Sequence, residues 1–275
     1  MKRTTTPPLL SPERALYLRQ NKRTERRIHL WRWGILAALL LLWEGAARLG
    51  WIDSFIFSQP SRILRTYGSL AGGDLLYHLR VTVGETLAGF LLGAAAGVLL
   101  AILLWWSPLV SRISEPYLVV LNSLPKIALG PVIIILAGAG TRAIVFMALA
   151  ISLVVTVLEM LSGFRDTDPG ALRMARTFGA TKRQIFCKIV LPYNVPTLFD
   201  SLKVNIGLSL VGVIAGEFLV SRAGLGYLIV YGGQVFKMDL VMASVILLAV
   251  VAALLYETVV LLQLLVQRVF GFSQH

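Results

Sequence analysis

Cysteine is almost absent from this sequence: Cys187 stands alone, so no internal disulfide can form. It falls in a basic segment that reads as cytoplasmic, where a free thiol stays reduced, and a small packing residue is its expected role. Histidine is scarce too. His29, His78 and His275 are isolated, and no Cys/His cluster has metal-ligand spacing, so no metal site is expected. Charge is thin: 15% of residues are charged against 57% hydrophobic, with mean hydropathy +0.77. That balance excludes an ordinary soluble domain. There is no G-x-x-x-x-G-K-[ST] phosphate loop, and Gly179-Ala180-Thr181-Lys182 is not one, so no nucleotide or other cofactor is expected in this chain. No nucleophile or metal constellation suits an enzyme acting on lipids. The chain reads as one that does no covalent chemistry.

What the sequence does have is long apolar runs. Six stand out, at about 33–49, 79–106, 113–137, 143–161, 196–219 and 240–266. Crossing a hydrocarbon layer takes roughly 20 apolar residues as a helix. The runs are too long and continuous for barrel strands, so helices must satisfy their backbone groups. The expected fold is all-α: a polytopic membrane bundle of about six transmembrane helices. Residues 1–32 read as a basic tail, and 33–270 as the membrane domain. A basic stretch before an apolar run resembles a signal peptide only superficially. Its basic part is too long and no small-x-small cleavage site follows, so an uncleaved tail and a first span are expected.

The net charge is +12, but the cations are not spread as a nucleic-acid face. They cluster in the tail and in one loop, the footprint of topology and anionic lipid headgroups, so a bilayer and not a nucleic acid is the expected partner. With the N-terminus inside, the outside segments hold only Arg62, Arg65, Arg142, Arg222 and Lys237. The remaining loop and tail cations fall inside, which puts both termini in the cytoplasm.

The outside segment 52–78 carries turn signals and is expected to lie partly along the membrane surface. The inside segment 162–195 opens with Asp166, Asp168, Pro169 and Gly170. A helix-compatible stretch follows over 171–178, and Gly179 is placed to end it. A second amphipathic stretch runs through Ile185 and Ile189, where Leu191-Pro192 is expected to stop it. The loop therefore reads as a helix–turn–helix outside the bilayer.

Several residues inside the apolar runs are unusual there. Glu44 and Arg48, four apart, are expected to pair. Glu85, Lys126, Glu217 and Glu257 each cost roughly 2.5–3.5 kcal/mol at a bilayer centre, so each is expected to face protein or a water-filled path. For Lys126 and Glu217 a translocation pathway and a buried packing network are equally weighted; for Glu257 the network is favoured. Gly89, Gly93 and Gly97 form a small-xxx-small stripe, read first as packing within the subunit and second as a homodimer seam. Pro125 and Pro131 break helical hydrogen bonds in the third run. With Asn122 and Ser123 just before, that region is the leading candidate for pathway lining.

The loop pattern is Ala175, three residues, Gly179, nine residues, Ile189, one residue, Leu191-Pro192. It resembles the EAA loop of permease subunits of ATP-binding-cassette importers: E-A-A, three residues, G, nine residues, I, one residue, L-P. Here Arg173 stands at the glutamate position and Met174 at the first alanine. Four further places resemble the nitrate, taurine, sulfonate, bicarbonate and thiamine-precursor branch. They are Gln59-Pro60-Ser61, Gly89-Phe90, the run from Leu124-Pro125-Lys126 to Gly130-Pro131, and Glu217 with Gly224-Leu225-Gly226-Tyr227.

The resemblance implies a type I importer permease in a bacterial inner membrane. It implies docking of an ATPase subunit, which would carry ATP–Mg, on Arg173, Met174, Ala175, Arg176, Gly179, Ala180, Ile189, Leu191 and Pro192. It further implies an external solute-binding protein, a permease homodimer, and a small polar or anionic solute. A secondary transporter driven by an ion gradient is the alternative reading of the intramembrane acids.

Overall fold

The computed structural model describes residues 12–71 and 73–270. Every regular element among them is helical. Five helices are long and apolar enough to cross a membrane, and a sixth span appears if one bent pair is counted together. The chain divides into two compact units, Met1–Leu64 and Arg65–His275.

The first unit is built on α1 (Pro12–Arg48). Its membrane-compatible part, Arg26–Arg48, begins earlier than the apolar run does. The helix continues back through the basic residues because Arg, Lys, Gln and Glu are good helix formers. Residues 1–11 of the expected tail lie outside the described residues. Glu44 and Arg48 pair as expected, with Arg48 Nε donating to Glu44 Oε1 at 2.7 Å. The other carboxylate oxygen accepts from the Ser61 amide at 3.0 Å. A short α2 (Ser54–Phe57) is capped by the Asp53 side chain, and α3 (Pro60–Ala71) follows.

The second unit holds α4 (Leu75–Trp106), α5 (Pro108–Ser123), a 3-10 turn (Lys126–Leu129), α6 (Gly130–Ala137) and α7 (Thr141–Arg165). Next come α8 (Pro169–Thr177), α9 (Lys182–Ile185), a π turn (Phe186–Val190), α10 (Leu191–Tyr193) and α11 (Val195–Val220). Finally α12 (Leu225–Gln234) and α13 (Met238–Phe270) complete the bundle. More than half of the most apolar window of α7 is buried (56%), against 11% for α13, so α7 is the centre and α13 the periphery.

Glycine sets how closely the central helices meet. A Cβ on Gly89, Gly93 or Gly97 of α4 would run into Ala148, Ser152 and Thr156 of α7 respectively. From α11, a Cβ on Gly212 would lie 2.6 Å from the Ala148 Cα, and one on Gly216 would lie 3.0 Å from the Ile144 Cα. The glycine stripe is therefore packing within the chain. The hydroxyls it leaves beside the seam are satisfied locally: Ser152 and Thr156 donate to the carbonyls of Ala148 and Ser152, both at 3.0 Å.

The third apolar run is bent at the expected proline break: α5 and the segment Lys126–Ala137 meet at 86°. The break is at Leu124-Pro125, where Leu124 has extended backbone, as a residue before proline prefers. Two other expectations change. Pro131 breaks nothing, because it falls in the first turn of α6, where no amide donor is needed. Nor does Leu191-Pro192 end the second cytoplasmic helix. The Leu191 amide bonds to the Phe186 carbonyl in π register, and the chain runs on as helix into α10 and, past Asn194, α11. The shifted register lets a proline sit where an α ladder would have required its missing donor.

Because the α7–α11 approach is backbone against side-chain-free backbone, Gly212→Val should lower stability in detergent by about 1–3 kcal/mol. Gly207 on the same helix meets nothing within 4 Å, so Gly207→Ala should be neutral or stabilising by up to about 1 kcal/mol. Thermal unfolding of the two variants side by side checks both signs.

Candidate functional site

The basic loop is held as a hairpin by local rules that the sequence obeys closely. Asp168 caps α8 by accepting from the Gly170 and Ala171 amides at 2.8 and 3.2 Å, and Pro169 occupies the first helical position. At the other end the Gly179 amide donates to Arg176 O and the Ala180 amide to Ala175 O, both at 3.0 Å. That pair of bonds is a Schellman stop, and it needs a residue with positive φ between them. Gly179 has φ +76°. Thr181 then opens α9 with a reciprocal cap: its amide donates to Gln184 Oε1 at 2.8 Å while the Gln184 amide donates to Thr181 Oγ1 at 3.3 Å.

The hairpin's inner face is packed onto the bundle. Ala175, Ile185, Phe186 and Val190 are buried with Ala101 of α4 and Met160, Leu161 and Phe164 of α7, and Ala180 and Ile189 lie against the same cluster. Asn194, buried, donates to Thr167 Oγ1 and Val190 O, each at 2.9 Å, and ties the loop's entry to its exit. The outer face is different. Phe178 is 81% exposed and Met174 59%, with Arg173, Arg176 and Thr177 exposed beside them. The residues assigned to docking thus separate into two sets. Arg173, Met174, Arg176 and Gly179 are exposed, whereas Ala175, Ala180 and Ile189 hold the hairpin to the bundle. Leu191 is partly exposed beside the π turn, and Pro192 is half-buried. Phe178 was not singled out from sequence. Its signal was available: a large apolar residue in an otherwise polar loop, immediately before the turn glycine.

At the bend between α5 and the 3-10 turn, Asn122 and Ser123 are exposed and Lys126 is half-buried. Lys126 Nζ donates to the Asn122 carbonyl at 3.0 Å, covering a helix-end acceptor, and Ser123 Oγ donates to Val119 O at 3.0 Å. Beside the bend is an open apolar groove of about 770 Å³, walled by Ile127 and Pro131 and by residues such as Ile214 and Phe218 of α11 and Leu248 of α13.

Glu217 does not join this group. It is 1% exposed. Its Oε1 accepts from the Thr82 hydroxyl at 2.6 Å and its Oε2 from the Gly226 amide at 2.6 Å. Thr82 Oγ1 in turn accepts from the Leu225 amide at 2.7 Å, and His78 Nδ1 accepts from the Gly224 amide at 3.0 Å. A Cβ on Gly224 would collide with the Glu217 carboxylate. The acid receives an amide at the start of α12 and a hydroxyl of α4, the contacts that the packing-network reading requires. Glu85 is buried too and faces a cavity of about 390 Å³ with Tyr77, Thr141 and Arg222. Glu257 is exposed on α13 and so takes no part in this chain's buried network.

Residues 89–271 match the family model described as "Binding-protein-dependent transport system inner membrane component". A probable ABC transporter permease protein of Haemophilus influenzae is 28% identical over 226 residues, which cover 82% of this chain and 91% of that one. A putative aliphatic sulfonates transport permease protein of Bacillus subtilis is 26% identical over 245 residues, 88% of this chain and 89% of its own. The fold is similar to a chain of the MetNI methionine ABC transporter in an inward-facing conformation. Its TM-score is 0.62 at 18% identity, over 69% of this chain and 94% of that one.

The Glu217 network makes a prediction of its own. Glu217→Leu leaves the Thr82 hydroxyl and the Gly226 amide buried without acceptors. At about 1–3 kcal/mol for each unsatisfied group, unfolding in detergent should come several degrees lower. Glu217→Gln, which keeps one acceptor oxygen, should lose less. Equal losses in the two variants would show that the hydrogen bonds are not what the acid contributes.

Proposed function

Because the chain belongs to the family of binding-protein-dependent transport inner membrane components, and is an ABC importer permease, we propose how it is engaged and what it carries. Two copies form the pathway. ATPase subunits dock on the exposed tips of the two α8–α9 hairpins, and an external binding protein delivers the solute. ATP–Mg is bound by the ATPases, not by this chain. The protein lies in a bacterial inner membrane with both termini in the cytoplasm, the orientation that the loop and tail cations favour.

One observation carries this reading: a short helix with a rigid stop presents Phe178 and Met174 outward, while its other face is packed onto the ends of α4 and α7. Exposed large apolar groups at the tip of a polar loop are what a partner's cleft would bury. The hairpin's rigidity means that a partner has little conformational entropy to remove on binding. The ion-gradient alternative is not favoured, because it gives the hairpin no work.

For the solute, the polar groups available at the α5 bend are Asn122, Ser123 and Lys126, beside an apolar wall. That combination suits a small polar or anionic molecule with some apolar body. The aliphatic sulfonates for which the Bacillus subtilis relative is named are of that chemical kind.

Phe178→Ala should leave thermal stability unchanged, since the ring is exposed, yet weaken co-purification with the ATPase encoded beside this permease by about tenfold or more. Gly179→Val should do the same by distorting the stop, at a cost of about 1–2 kcal/mol in the hairpin. Full retention of ATPase binding and transport in both variants would remove the hairpin from the docking role.

A further inference from the structure

Behind the docking helix lies a cleft that shares only Arg176 with the exposed docking residues. It has two adjoining cavities, of about 430 and 400 Å³, which share Trp105, Pro108 and Arg165. The first is also lined by Arg176 of α8 and Lys182 of α9, the second by Arg112 and Glu115 of α5. Four cations therefore line the cleft against one carboxylate. Glu115 is already engaged, accepting from Arg165 at 3.2 Å, and Arg165 also donates to Ser111 Oγ at 2.8 Å. Arg176 and Arg112 have no ion pair among the described residues.

The position of the cleft says which anion it fits. It opens where the apolar run of α4 ends in Trp105-Trp106, and paired tryptophans mark the depth of lipid headgroups. Lys182 is held against those rings. Its Nζ lies 5.4 Å from the Trp105 centroid and 5.9 Å from that of Trp106, and it donates to the Trp106 carbonyl at 2.5 Å. On the same two helices, just past the cleft, Leu103, Leu109 and Ile113 are 57–70% exposed, an apolar wall for acyl chains. A basic pocket between membrane helices, bounded by tryptophan and continued by exposed leucine, has the chemistry of an anionic phospholipid site.

We propose that this cleft binds the phosphate headgroup of an anionic phospholipid from the leaflet on the docking loop's side, and that the bound lipid braces the docking hairpin against the bundle. The geometry gives the second half of the statement. Arg165 at the end of α7, Arg176 of α8 and Lys182 of α9 line the same cavity, so a phosphate there joins hairpin to bundle, and Arg112 of α5 adds a cation in the adjoining one. The functional consequence rests on the docking role proposed above. The binding itself does not, and it is measured without the ATPase.

The experiment uses the full-length permease in detergent, titrated with short-chain phosphatidylglycerol, short-chain phosphatidylcholine, or inorganic phosphate. Thermal stability and retained lipid in native mass spectrometry are the readouts. Phosphatidylglycerol should stabilise and be retained at least tenfold better than phosphatidylcholine, and inorganic phosphate alone should do neither. Arg176→Gln with Lys182→Gln should weaken phosphatidylglycerol by about thirtyfold, from about fivefold for each cation at the membrane surface. Arg176→Lys with Lys182→Arg should restore it. Equal binding of the two lipids would overturn the proposal. A response to phosphate as large as that to phosphatidylglycerol would also overturn it, because the source would then be a free anion. Should the double glutamine variant not fold, Arg112→Gln on α5, outside the hairpin, gives the same comparison. An unchanged lipid preference there would count against the site.

Discussion

The close approach of α4, α7 and α11 is the constraint on which the rest depends. Lipid offers no hydrophobic drive for one apolar helix to meet another, so contact must come from packing. Gly89, Gly93 and Gly97 of α4, and Gly212 and Gly216 of α11, remove the side chains that would hold these backbones away from α7. Dispersion over that length does the work that burial from water does in a soluble core. Once α4 and α7 run side by side, their ends at Trp106 and Arg165 form one platform, and the α8–α9 hairpin is built on it.

The same solvent explains the irregular segments. A backbone donor or acceptor left bare in a membrane costs several kcal/mol, so each departure from α geometry has a named partner. At the α5 bend, Lys126 covers the Asn122 carbonyl. At the π turn, which is buried in protein outside the bilayer, the Leu191 amide finds Phe186 O. At the start of α12, Glu217, Thr82 and His78 accept the three amides of Gly224, Leu225 and Gly226. A carboxylate deep in a span looks expensive in isolation. Set against a buried Gly226 amide and a buried Thr82 hydroxyl otherwise without acceptors, it is the cheaper arrangement.

Much of this was legible beforehand, and two of the misses share a cause. Sequence rules that act over a few residues read correctly. Gly179 ends α8 because only a positive φ closes that hydrogen-bond pair, and Leu124-Pro125 breaks the third run because proline forbids helix before it. The Thr181/Gln184 cap was equally readable from its three-residue spacing. What failed needed partners far along the chain. Glu217 could be placed in a pathway or a core with equal sense until Thr82, 135 residues away, was seen to reach it. Pro192 reads as a stop, and only the packing of Phe186 and Val190 into the α4–α7 platform shows why the helix changes register there instead of ending. The early start of α1 was missed for another reason: hydropathy separates membrane from water, not helix from coil.

The two faces of the hairpin bear on how motion would pass through the molecule. Its inner residues, Ala175, Phe186 and Val190, are buried against the bundle, and packed interiors transmit displacement instead of absorbing it. The π turn and α10 join the hairpin directly to α11, the helix that also lines the apolar groove beside the α5 bend. A partner that shifts Phe178 therefore acts on a stiff body with two outputs: the ends of α4 and α7 by packing, and α11 by covalent continuity. The second leads to the groove along the chain, and it passes through Asn194, whose side chain spans Thr167 and Val190. That asparagine is the point at which the two routes meet, because it fixes the angle between the hairpin and the start of α11.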